Sequence, residues 1–184
     1  MRLTENRTIA WIALALCVLV SVFGFGGMKL ASERGKVMAV FENGAAATLS
    51  VRHSMDAYLD SAAESAQIMI AETELRMGSS EVTQAAAAQA AQVAGQENLD
   101  TRYQAYTDLK ASADKLYNQL YTVAQGDAFN NFKLAYDDFW GYDDLIQRDE
   151  YHQLAKRYNR LAGGFPGLLV AKLLGQGALN SFGG

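Results

Sequence analysis

One cysteine in 184 residues excludes an internal disulfide and a zinc site built from several thiolates. One proline, set against many alanines, disfavours an all-β fold, whose hairpins need turn residues at short intervals. Cations are outnumbered: sixteen Lys+Arg face twenty Asp+Glu, a net charge of −4, with no basic block. Such a chain is a poor nucleic-acid binder, because phosphate attraction needs clustered cations. Histidine is scarce, with only His53 and His152, and neither has a local nucleophile motif beside it. His152, after Glu150-Tyr151 and one turn before Lys156, reads as a histidine on a polar helix face. No H-E-x-x-H, Glu-x-x-His, glycine-rich phosphate loop or G-x-S-x-G is present. The expectation is therefore a non-enzyme without cofactor or metal. Half of the residues are hydrophobic, which excludes a wholly disordered chain.

What is there begins with a charge-free run, Ile9 to Gly27. Nineteen residues reach roughly 28 Å as a helix, enough for a hydrocarbon core of about 30 Å. Trp11 sits near one end, where an amphipathic ring favours the interface. A cleaved signal peptide would carry a shorter apolar region and a small-residue exit, whereas this run ends in Phe-Gly-Phe-Gly-Gly. Leu16 precedes Cys17, which argues against a lipoprotein and leaves Cys17 as a small apolar residue in lipid. The run reads as an uncleaved, single-pass anchor in the bilayer. Arg2 and Arg7 precede it and Lys29, Arg34 and Lys36 follow it, too small an asymmetry to orient it. Its glycines offer a weak small-residue face for self-association, so a homo-oligomer is a further expectation.

After Lys36 come eleven Lys+Arg and eighteen Asp+Glu, a net of −7. The periodicity is helical throughout, and the expected fold is all-α: the anchor, then an antiparallel up-and-down bundle of three to four long helices over residues 28–175, with 1–8 and 176–184 as tails. Leu30, Val37 and Phe41 share a face, so the first helix runs on past the membrane to an Asn43-Gly44 cap. A second helix spans about Ser50 to Met77, ended by Gly78, and Ser80 opens the next piece. Residues 82–94 are Ala, Gln and Val, read as a short and weakly anchored helix ended by Gly95. Leu99, Arg102, Tyr106, Leu109, Ala113, Leu116, Leu120 and Val123 form a coiled-coil-like heptad seam with one polar position. Gln125-Gly126-Asp127 closes that helix and Asp127 caps the fourth. The fourth helix runs from Phe129 to Leu161 with a phase slip at 143–147 and a bend near Gly141. Pro166 opens a last helix, Gly167 to Leu174, expected to pack on the bundle.

Three charged or aromatic groups are candidate contact surfaces. Asp56, Asp60 and Glu64 follow at steps of four and make one face negative. Lys156 and Arg160 make a positive face on the last long helix. Phe165, Pro166 and Leu169 belong to the C-terminal element FPGLLVAKLLG. The aromatics Phe129, Phe132, Tyr136, Phe139 and Trp140 have core spacing. The pairs Asp137-Asp138, Asp143-Asp144 and Asp149-Glu150 spread around a helix as a solvated face.

Tyr158-Asn159-Arg160-Leu161, then Phe165-Pro166-Gly167-Leu168-Leu169-Val170-Ala171-Lys172-Leu173-Leu174-Gly175 and a trailing Phe182, resemble the signature of the LemA family. Phe41-Glu42-Asn43-Gly44 and Leu49-Ser50-Val51 are similar to a divergent branch of it, although the Arg-x-Asp-Leu-Ile-Pro-Asn-Leu stretch of many members is lacking. The resemblance implies a bacterial cell-membrane protein with one spanning helix, a helical bundle and no established catalytic residues. The expected function is that of a scaffold or modulator of an unidentified membrane or envelope protein. The alternative is a sensor that binds a small molecule or cation between helices near Trp140.

Overall fold

The computed structural model describes residues 7–44, 54–123 and 129–182. Within them the protein is all-helical, a long N-terminal helix followed by six others. They form two compact units, one of residues 7–38 with Gln153–Leu179, the other of Ala39–His152 with residues 180–182.

The N-terminal helix comprises α1 (Arg7–Val20), one π-helical turn (Ser21–Phe25) and α2 (Gly26–Asn43), without interruption. Where glycines were expected to weaken it, the helix instead widens by one π turn and continues. Ile9–Asn43 is the one helix among the described residues long and apolar enough to cross a membrane, and its apolar window is wholly uncovered. The helix ends as its sequence dictates: Gly44 adopts φ 78° and donates its N–H to the Val40 carbonyl at 2.9 Å.

The second unit holds four antiparallel helices in up-and-down order: α3 (Met55–Met77), α4 (Glu81–Gly95), α5 (Leu99–Tyr121) and α6 (Asn130–Arg148). Ser54 caps α3 by accepting from the Ala57 N–H, and Gly78 ends it at φ 77°. Ser80 and Thr83 form a reciprocal capping box on α4, whose Thr83 hydroxyl also donates to Glu74 at 2.8 Å and ties the turn together. Asn98 caps α5 through the N–H groups of Asp100 and Thr101. The core is built by Met55, Leu59, Met69, Leu109, Leu116, Leu120, Phe132, Phe139 and Ile146.

Three expectations are corrected. Helix α4 is a full bundle member, with Thr83, Ala86, Ala90 and Val93 buried against α3 and α5. Its small side chains gain burial by letting backbones approach closely. The long last helix is two helices, α6 and α7 (Tyr151–Gly163). The phase slip marks the break at Asp149, which turns extended (ψ 143°) and accepts the Tyr151 N–H at 2.8 Å. Gly141 lies inside α6, which runs unbroken from Asn130 to Arg148. Finally, α5 ends at Tyr121, leaving Val123 exposed. The expected cap at Asp127 and the residues Leu49 to His53 lie outside the described residues.

In the first unit, α7 is followed by α8 (Gly167–Leu173), opened by Pro166. The last residues, read from sequence as a tail, carry two buried side chains: Leu179 in the first unit and Phe182 in the second. Phe182 packs within 6.5 Å of Phe41, Tyr103, Tyr106 and Tyr151, centroid to centroid.

Candidate functional site

Helix α8 packs on the N-terminal helix at its two glycines. Val170 lies 3.7 Å from where a Gly26 β-carbon would stand, and Leu174 lies 3.7 Å from that of Gly27. A β-carbon at either position would sit in ordinary van der Waals contact with α8, so the two elements are closely packed there. Val170, which makes this contact, is buried. The contact is made on the N-terminal helix. Leu168, Leu169, Leu173 and Leu174 stay exposed, and Phe165 in the preceding turn is 88% exposed. Two grooves flank the element. One, of about 300 Å³, is lined among others by Asn159, Leu168, Lys172 and Gln176. A smaller one, of about 150 Å³, lies between Lys29, Leu30, Leu161 and Pro166.

Charge is unevenly shared between the units. The described residues of the first unit carry eight cations and one carboxylate, Glu33. Those of the second carry six cations and seventeen carboxylates. Folding thus gathers Lys156, Arg157, Arg160 and Lys172 into one unit with Lys29, Arg34 and Lys36, from which they are over a hundred residues distant. Glu33 registers this: its carboxyl is held below the ordinary range first by a hydrogen bond from Lys36, then by the charges of Lys36, Arg157 and Lys29.

The other candidate residues divide. Asp56 and Asp60 are not a free negative face, because both carboxylates hold the buried guanidinium of Arg102. Asp60 does so at 2.8 Å, and Asp56 makes the closer contact. Arg102 also lies over the Phe41 ring at 5.6 Å. Burial raises the Asp60 carboxyl above its ordinary value against the pull of Arg102. Glu64 is exposed, as are Lys156 and Arg160 on α7 and Pro166 and Leu169 in the C-terminal element.

Sequence reasoning missed the internal polar network of the bundle. Asp143, expected on a solvated face, is buried, and accepts from the Tyr106 hydroxyl at 2.7 Å, Lys110 at 2.8 Å and Gln147. Lys110 in turn lies 5.6 Å from the Trp140 ring centroid. Burial first, then the hydrogen bond and charge of Asp143, raise the Tyr106 phenol far above its ordinary value. His152 is likewise buried instead of lying on a polar face. Its Nε2 donates to the Ile146 carbonyl at 2.6 Å, which leaves Nδ1 to accept from Ser181 Oγ at 3.0 Å. The signal for Asp143 was its spacing, four residues after Phe139 and three before Ile146 on the buried face of α6.

No group of three or more His, Cys, Asp or Glu side chains among the described residues is placed to hold a metal ion. No protein-family model, curated protein or solved structure matches this chain.

Proposed function

We propose that this chain is a single-pass protein of the bacterial cell membrane, of LemA-like type. It acts without catalysis as a scaffold or modulator of a membrane or envelope protein. The observation that carries this reading is the N-terminal helix, uncovered along its apolar length and continuous with a helix that ends in the folded part of the chain. In a bilayer such a helix satisfies its backbone polar groups internally, and lipid covers its apolar side chains. The buried polar groups support a structural body: Arg102 is held by Asp56 and Asp60, and Asp143 by Tyr106, Lys110 and Gln147. The C-terminal element with its FPG turn and the Asn43-Gly44 cap are the places where the LemA-like residues have a definite local role.

Cell fractionation tests the anchor. The expected result is a chain of full mass that resists alkaline extraction and is released by detergent. A soluble chain lacking the residues up to about Gly27 would overturn it in favour of a cleaved signal. Photo-crosslinkers at Glu64 and Lys156, both exposed, test the scaffold reading. A discrete membrane-protein adduct, lost on charge reversal at the crosslinking face, is expected. A cross-linked copy of the chain itself would instead point to a homo-oligomer. A cation or small-molecule sensor near Trp140 has less support, since Asp143 is committed to internal partners and Asp137, Asp138 and Asp144 are exposed on the helix surface. Thermal shifts in a screen of divalent cations and metabolites would revive it.

A further inference from the structure

Helix α8 exposes an apolar face at a particular height on the N-terminal helix. It packs at Gly26 and Gly27, the last residues of the charge-free run Ile9 to Gly27. If that run spans the bilayer, its end lies at the boundary between acyl chains and headgroups. Around α8 the residues alternate sharply in fate. Val170 is buried and faces the N-terminal helix, and Ala171 is buried, while Leu168, Leu169, Lys172 and Leu173 are exposed. Leu173 is 72% exposed and Phe165 is 88% exposed. At the same level of the N-terminal helix, Phe25 and Met28 are 75% and 73% exposed. Large apolar side chains so open to water are costly, whereas the acyl boundary favours them. The unit that carries them is strongly cationic, and Lys172 stands among the leucines with a stem long enough to lift its charge to the headgroups.

We propose that α8 and the Phe165 turn form a second membrane contact, an interfacial helix lying on the anionic bilayer surface beside the anchor, with Leu169 and Leu173 in the acyl boundary and the surrounding lysines and arginines at lipid phosphates. Seven residues would bind membranes feebly if free, but the anchor holds them at the surface, so the contact costs no translational freedom. Such a contact fixes the tilt and rotation of the folded unit relative to the membrane. The proposal rests on the reading of Ile9 to Gly27 as a span.

The test uses the full chain in phosphatidylglycerol-containing vesicles, in a Cys17→Ser background, with an environment-sensitive NBD label on Leu169→Cys, Leu173→Cys or, as anchor reference, Val18→Cys. Free NBD-cysteine in buffer is the aqueous standard. The expected result is a blue-shifted emission at 169 and 173, loss of iodide quenching, and quenching by nitroxides placed shallow in the lipid, with Val18→Cys quenched by deep nitroxides. Replacing phosphatidylglycerol by phosphatidylcholine, or raising salt, should reduce the shift at 169 and 173. Iodide access at 169 and 173 with Val18→Cys still deep would overturn the proposal and leave the anchor standing. Protection from iodide without nitroxide quenching would overturn it in favour of a protein contact. An unchanged shift in neutral lipid would overturn the headgroup part. Water access at all three sites would overturn the span itself.

Discussion

Asn159 clamps the backbone of Leu179: its Nδ2 donates to the Leu179 carbonyl and its Oδ1 accepts the Leu179 N–H, both at 2.8 Å. One side chain on α7 thus satisfies both polar groups of a residue twenty positions later, as a β-ladder neighbour would. This is the structural role of the Asn in the Tyr158-Asn159 pair, and it brings the buried Leu179 into the first unit. Asn159→Ala should cost about 2 kcal/mol, the worth of two hydrogen bonds whose backbone partners lose their mate. Hydrogen exchange in lipid nanodiscs checks it locally: the Leu179 amide should exchange faster, while amides of α5 keep their protection. Asn159→Asp, which accepts but cannot donate, should fall between.

Arg102 is the single polar position in the α5 seam, and its guanidinium neutralises two carboxylates one turn apart. Arg102→Met leaves Asp56 and Asp60 facing each other without a cation. The side chain is buried but its partners are half-exposed, so the loss should be about 1–3 kcal/mol, between the values for surface and buried pairs. Denaturant midpoints should show the deficit shrinking under acid, as the two aspartates protonate. Asp60→Asn in the Arg102→Met background should recover part of it at neutral pH. A deficit independent of pH and of Asp60 would mean that Arg102 acts by packing alone.

Two glycines should respond oppositely to alanine. A β-carbon on Gly167 would be driven into the Leu161 carbonyl, which is backbone and cannot step aside. Gly167→Ala should therefore destabilise the C-terminal element by about 1–3 kcal/mol or more. Gly141 has open space around its β-carbon position and sits inside α6. Gly141→Ala should stabilise by about 0.5–1 kcal/mol through helix propensity. Melting curves of both variants decide the matter, and a loss at Gly141 would restore the idea of a bend or a ligand approach there.

Alkaline pH should unfold the bundle through its tyrosines. Tyr106, Tyr136 and Tyr58 are all raised above the ordinary phenol value, first by burial, then by Asp143, Asp114 and Asp149 respectively. A phenol raised in the folded state contributes stability that is fully present below the unfolded value of about 10 and is lost as pH climbs above it. Phenolate absorbance should therefore rise in two phases, exposed tyrosines first and the remainder only with loss of helicity. Tyr106→Phe should flatten the fall in stability above about pH 10, because one group no longer ionises on unfolding.

The features legible in the sequence are those set by neighbours a few residues away. The charge-free run, the caps at Asn43-Gly44, Gly78 and Ser80, and the apolar seam of α5 from Arg102 to Leu120 each depend on local chemistry, and each stands where the pattern put it. The role of α4 was not legible, because alanines show no apolar excess until a close-packed partner excludes water from them. Asp56 and Asp60 read as a negative contact face because their cation, Arg102, lies more than forty residues away along the chain. Tyr106 lies 37 residues from Asp143 and Ser181 lies 29 from His152, so these pairings too were hidden along the chain.

Composition and order along the chain determined that this protein has a helix of membrane length near its N-terminus and an acidic helical body. Tertiary structure alone decided which charges are spent on one another and which are left over. It paired the half-exposed Asp56 and Asp60 with the buried Arg102, and buried Asp143 among Tyr106, Lys110 and Gln147, since a buried ion is tolerated only with its partner. It also drew the late lysines and arginines into the unit that holds the end of the apolar run, and left the α8 leucines facing outward beside it. Those outcomes depend on contacts between residues far apart in sequence, whose energies exist only once the chain has folded.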